Sequence, residues 1–159
     1  MRIFSAVTFI TFALISAAPA RAKEWRGLSP MKSTCEDVKR LLNVSACKLP
    51  KETYDLGSEK VTITFSTSRC FQVFQKWWNV PVGTVVMIER DLTKPISISE
   101  LGIPREKYKI SETDAVDLNV YDSEEEGVSF EAFKDWVQHI AYVPTKTDAR
   151  QLALSAGKC

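Results

Sequence analysis

Between residues 61 and 143 the chain keeps returning to one pattern. In ETYDLGSEKVTITFSTSR, Val61, Ile63 and Phe65 alternate with Thr62 and Thr64, the period of a half-buried strand. TVVMIERDL, VDLNVYD, GVSFEAF and WVQHIAYVP repeat the theme with β-branched and aromatic residues that suit a pleated surface. Turn-forming residues separate the runs: Asp55-Leu-Gly-Ser58, Val80-Pro81-Val82-Gly83, the acidic Ser123-Glu124-Glu125-Glu126, and Lys134-Asp135. A sheet with one apolar face must bury that face against another layer. The pattern therefore calls for a cover.

STCEDVKRLL is the sequence's candidate for that cover. Ser33 or Thr34 can cap a helix, Glu36 and Asp37 suit its first turn, and Lys39 and Arg40 follow, an order that the helix dipole favours. Val38, Leu41 and Leu42 fall at i, i+3 and i+4, and Asn43 supplies a stop. The expected fold is α+β: an N-terminal amphipathic helix packed on an antiparallel sheet of about five strands, stapled by disulfides. Pro95 and Pro104 restrict ISISELG to a short helical turn, and TDARQLALSAGKC holds a short helix or drapes over the sheet. A weak internal echo links YDLGSEKVTITFS and GTVVMIERDLTK to YDSEEEGVSFEAF and DWVQHIAYVPTK. Converging hairpins or a duplicated strand pair would both give it.

The N-terminus MRIFSAVTFITFALISAAPARAKEW has an early cation, an apolar run from Ile3 to about Ile15 and small residues ending at Ala22. This is the layout of a signal peptide over residues 1–22 with cleavage near Ala22, leaving residues 23–159 as one exported domain, periplasmic or extracellular. No later run is long enough to span a bilayer. The chain has 21 basic and 20 acidic residues; losing Arg2 and Arg21 with the leader leaves near neutrality. That balance gives no electrostatic case for nucleic acid, and a monomer is expected. Cys35, Cys47, Cys70 and Cys159 all lie in the exported part, where thiols oxidise. Four cysteines allow three pairings; a local Cys35–Cys47 staple with a Cys70–Cys159 tie is favoured, although spacing alone does not choose.

CFQVFQKWWNVP concentrates Phe71, Phe74, Trp77 and Trp78. On a helical turn these would form one apolar face, and such a face, if exposed, would bind a partner. Packing against the sheet is the first expectation, with Trp78 or Phe71 the members left partly exposed. His139, within DWVQHIAYV, lacks an accompanying nucleophile motif and reads as a strand surface residue. One histidine and no C-x-x-C give no metal ligand set, and no cofactor is implied. The acidic run at Asp122 and Glu124–Glu126 reads as a solvated turn rather than a calcium loop. Asn43-Val-Ser45 matches a glycosylation acceptor triplet. The expected function is a non-enzymatic binding module of the envelope or secreted space, its partner an unknown protein or envelope component. A secreted enzyme with an unrecognised site, and an inhibitor or effector, are the alternatives.

WRGLSPMKSTCEDVKRLLN, the Tyr-Asp turn with VTITFS, the WNVPVGTV segment and EEEGVSF together resemble a group of uncharacterised exported proteins of soil bacteria, notably acidobacteria. The resemblance spans most of the mature chain and rests on Trp25, Ser33, Thr34, Asp37, Val38, Leu41, Leu42, Trp78, Asn79, Val80, Pro81, Gly83, Thr84 and Val85. It implies Cys70–Cys159 as the shared pair and Cys35 as particular to this chain. More distantly, DVKRLLN before antiparallel strands is similar to the SmpA/OmlA (BamE-like) domain, which implies a binding module of the envelope without catalysis. Asn43 in place of that domain's glycine, the missing proline after it and the lack of a lipid-anchoring cysteine depart from its pattern.

Overall fold

The computed structural model describes residues 24–73 and 75–154; the expected signal peptide, Phe74 and Cys159 lie outside them. The first helical segment is α1 (Cys35–Leu42). The strands are β1 (Lys51–Asp55), β2 (Glu59–Phe65), β3 (Cys70–Val73), β4 (Lys76–Asn79), β5 (Val85–Ser97), β6 (Lys109–Glu112), β7 (Leu118–Ser123), β8 (Val128–Phe133) and β9 (Trp136–Tyr142). Helix α2 (Lys146–Leu152) and the two-residue β10 (Ala153–Leu154) end the described chain. Seven strands form one antiparallel sheet in the order β1-β2-β5-β9-β8-β7-β6, and β10, β4 and β3 form a small second sheet.

This architecture corrects the expected α+β fold. The molecule is mostly antiparallel β, with seven strands in the main sheet where about five were expected, and among the described residues no N-terminal helix layer covers it. Residues 35–42 make only two turns, roughly 12 Å of helix. Of their apolar stripe Val38 alone is fully buried, while Leu41 is exposed. The cover comes from irregular chain instead. Trp25 and Leu28, close to the expected mature N-terminus, are buried in the main core. Ile98, Leu101, Ile103 and Tyr108, in the connection from β5 to β6, pack on the same core.

The strands absent from the sequence reading are mainly edges. Both β1 and β6 flank the sheet, and β6 is exposed along its length. Edge strands of this kind carry charge on both faces, which blunts pairing with other chains and erases the alternation that reveals an inner strand.

A bulge divides the interior in two. Thr64 lies opposite Met87 and Phe65 opposite Val85, so Val86 is an extra residue on β5. Val85 joins the main core with Val61, Ile63, Phe65, Phe130 and Ile140. Val86 turns instead to a second core with Met31, Trp78 and Val80. One inserted residue thus puts Val85, rather than Val86, on the core face with Ile88.

Gly127, in the β7–β8 turn, has φ +63°, and a Cβ there would lie 2.5 Å from the Val143 carbonyl oxygen. Only glycine permits that approach, which brings the chain entering α2 against the turn.

Candidate functional site

The aromatic stretch at 70–79 is a β-hairpin, not a helical turn. Phe71 lies opposite Trp78 and Gln72 opposite Trp77, so the strand period separates the two tryptophans onto opposite faces. Trp78 is 1% exposed and its indole Nε1 donates to the Val73 carbonyl at 3.1 Å. It is a core residue, which corrects its place among the partly exposed members. Phe71 packs half-buried against the same second core, and Trp77 is half-buried. Phe74 lies outside the described residues. The four aromatics therefore do not present one common face.

The large exposed aromatics are elsewhere. Phe133 ends β8 and Trp136 begins β9, 54% and 56% exposed, and they sit opposite each other across the two-residue turn Lys134-Asp135. Leu118 on β7 lies opposite Phe133, and Ser97 on β5 opposite Trp136. One rung thus carries Leu118, Phe133 and Trp136 on three neighbouring strands. Val116, 84% exposed, lies in the adjoining turn. Parity explains the placement: Val128, Phe130 and Ala132 point into the core, which turns Ser129, Glu131 and Phe133 outward. That alternation is present in GVSFEAFKDW.

Backbone hydrogen bonds hold this end of the sheet in place. The Lys134 amide donates to the Asp117 carbonyl at 2.8 Å and the Ile98 amide to the Asp135 carbonyl at 3.1 Å. The Thr113 hydroxyl donates to the Leu118 carbonyl at 2.8 Å. Three chain segments are thereby fixed around the aromatic rung. The ammonium of Lys134 lies 5.5 Å from the Phe133 ring centroid, a cation–π distance.

A cleft of about 720 Å³ opens between the β7–β8 turn, the stretch before β6 and the start of α2. Lys76, Lys109 and Lys146 line it together with Asp122, Glu124 and Glu125. The Lys107 ammonium is hydrogen-bonded to Glu126, which holds its pKa above the ordinary lysine value. Charges of both signs interleave, so the cleft selects neither an anion nor a cation.

The buried ionic cluster has a structural character. Glu59, 4% exposed, accepts from Trp25 Nε1 at 3.3 Å, Arg26 at 3.0 Å and Arg90 Nε at 2.6 Å. Arg90 also donates to the Tyr142 hydroxyl at 3.1 Å. Burial opposes the charge on Arg90, but the Tyr142 hydroxyl and the Glu59 carboxylate outweigh it and hold the guanidinium above its ordinary pKa. The cluster ties the segment after the expected cleavage point to β2 and β5. His139 pairs across strands with Asp91, Nδ1 to Oδ1 at 2.8 Å, on the solvent face of the sheet.

Cys35 and Cys47 form a disulfide with Cα atoms 6.0 Å apart, which fits an oxidising compartment. Cys70 is not a free thiol; Cys159, the partner expected for it, lies outside the described residues. Among the described residues no helix is long and apolar enough to cross a membrane. Comparison with protein families, with curated proteins and with solved structures finds no match.

Proposed function

We propose that this is an exported, non-enzymatic binding module that engages a protein or envelope component through the rung of Leu118, Phe133 and Trp136. One observation carries the reading: two adjacent large aromatics stand more than half exposed on a hydrogen-bonded, three-segment frame. Aromatics held rigid in this way supply contact area at small entropic cost and dominate interface energies. Exposing them without a partner would favour association with the wrong surfaces. Kinship with the exported proteins of soil bacteria remains part of this reading, and it adds no partner.

The test is site-directed photocrosslinking in the envelope and culture supernatant. A photoreactive phenylalanine analogue at position 133 is expected to give a discrete adduct, whereas the same group at position 60, on the same sheet face but away from the rung, should not. The adduct should disappear in the Trp136→Ala background. Equal labelling from both positions, or none from 133, would refute the assignment of the surface.

A further inference from the structure

On that reading of the rung, the charges around it set the chemistry of its occupant. Asp114 and Asp117 stand in the turn beside Leu118, Asp135 lies in the turn between Phe133 and Trp136, and Glu131 projects two rungs inward on the face that carries Phe133. All four residues are exposed. Among the described residues none of these carboxylates is engaged in an ion pair, although seven pairs of lysine or arginine with a carboxylate occur elsewhere. Across the three segments that build this end of the sheet, 97–101, 113–118 and 133–136, Lys134 is the only cation. Its ammonium lies over the Phe133 ring. The site therefore already holds a cation against an aromatic face inside a field of unpaired carboxylates.

We propose that the rung docks a basic segment of a partner protein, with arginine side chains stacking on Trp136 and Phe133 and pairing with the surrounding carboxylates. Arginine fits better than lysine because its planar guanidinium stacks on a ring and still offers donors at its edge. The negative field favours encounter with a basic partner and disfavours an anionic lipid surface, which would otherwise suit exposed aromatics. Lys134 competes for the Phe133 face in the free protein, so the partner must displace it.

The experiment measures binding of the oxidised mature protein to synthetic Arg-Gly, Lys-Gly and Glu-Gly repeat peptides by fluorescence anisotropy, and to phosphatidylcholine vesicles with and without phosphatidylglycerol. The expected order is Arg-Gly over Lys-Gly, no binding of Glu-Gly, and affinity that falls with salt. Trp136→Ala should weaken Arg-Gly binding about tenfold, as should Asp117→Asn combined with Asp135→Asn. Lys134→Gln should strengthen it about threefold by freeing the ring. For an anionic membrane the sign reverses, because loss of Lys134 would weaken attachment. Each variant alters exposed side chains, and unchanged thermal melting is the check that it folds. Overturning results are Arg-Gly binding that ignores Trp136→Ala, Lys134→Gln that weakens it, or preference for the phosphatidylglycerol vesicles. If the peptide fails while position 133 still crosslinks specifically, the basic occupant is wrong and the docking surface stands; if both fail, the surface falls too.

Discussion

Removing the carboxylate of Glu59 should destabilise the protein well beyond an ordinary surface change. Its side chain is 4% exposed and accepts from two arginines and an indole. Arg26 is 49% exposed, so its share is discounted to about 0.5 kcal/mol. Arg90 is 19% exposed and has no neutral form to retreat to. Deleting one partner of a buried pair leaves the other charge uncompensated, at about 3–5 kcal/mol. Arg90 keeps its bond to Tyr142, which places Glu59→Ala near the lower end, about 3 kcal/mol. Urea denaturation followed by circular dichroism is the assay, because guanidinium chloride would screen the pair. Replacing both residues, Glu59→Leu with Arg90→Met, should return stability to within about 1 kcal/mol of the parent, since matched apolar groups remove desolvation and attraction together. A Glu59→Ala variant within about 1 kcal/mol of the parent, or a double variant no better than the single, would refute the argument.

Trp78→Ala should cost about 3–5 kcal/mol as a fully buried aromatic truncation, and an unchanged melting temperature would sink its core assignment. Gly127→Ala should lose about 1–3 kcal/mol, because its Cβ would strike the Val143 carbonyl and the Thr145 methyl at a positive φ; calorimetry measures this. The hydroxyl of Tyr108 is buried without a partner, so Tyr108→Phe should leave stability unchanged at neutral pH or raise it by about 1 kcal/mol. Burial, and then Glu126, push the Tyr108 pKa up, as burial and Glu52 do for Tyr54. Stability is then complete below the unfolded tyrosine pKa of about 10 and falls as pH rises above it, because the unfolded chain releases protons that the folded one keeps. Tyr108→Phe should make that alkaline decline shallower, and an identical pH profile would count against it.

The inner strands β2, β5, β8 and β9 were legible because each buries one face and so writes its period into the sequence. Edge strands β1 and β6 were not: KISE is exposed on both faces, and in KETYD the half-buried face carries Glu52 beside Tyr54, which blurs the contrast. The helix signal in STCEDVKRLL carried a local grammar that tertiary packing used in full only at Val38, with Cys35 and Leu42 half-buried against the core. No periodicity could announce that Trp25 and Leu28 would be buried, because the core they enter is built by strands from residue 59 onward, where Glu59 also receives the Trp25 indole N–H. Four aromatics within eight residues at 71–78 mark a dense apolar cluster, but clustering alone carries no information about exposure. The exposed pair at 133 and 136 needed only parity counted outward from Phe130.

The echo noted in the sequence has a counterpart in the sheet, and it bears on the candidate site. In the order β1-β2-β5-β9-β8-β7, the hairpin β1–β2 with its following strand β5 mirrors the hairpin β7–β8 with β9. Tyr54, Val61 and Arg90 continue into Ile140, Phe130 and Tyr121 along a single rung, so the two Tyr-Asp turns bring equivalent tyrosines to matching positions. The halves differ in one connection. Between β2 and β5 the chain inserts residues 66–84, whose hairpin, with Met31 and α2, builds the second core over Val86. Between β8 and β9 it inserts only Lys134 and Asp135. The connection that the first half packs over Val86 at one end of the sheet shrinks to two residues in the second half, at the opposite end, and there Phe133 and Trp136 face solvent. That surface, bare where its counterpart is packed, is the one the proposed partner would cover, and its acidic turns would restrict which chain that is.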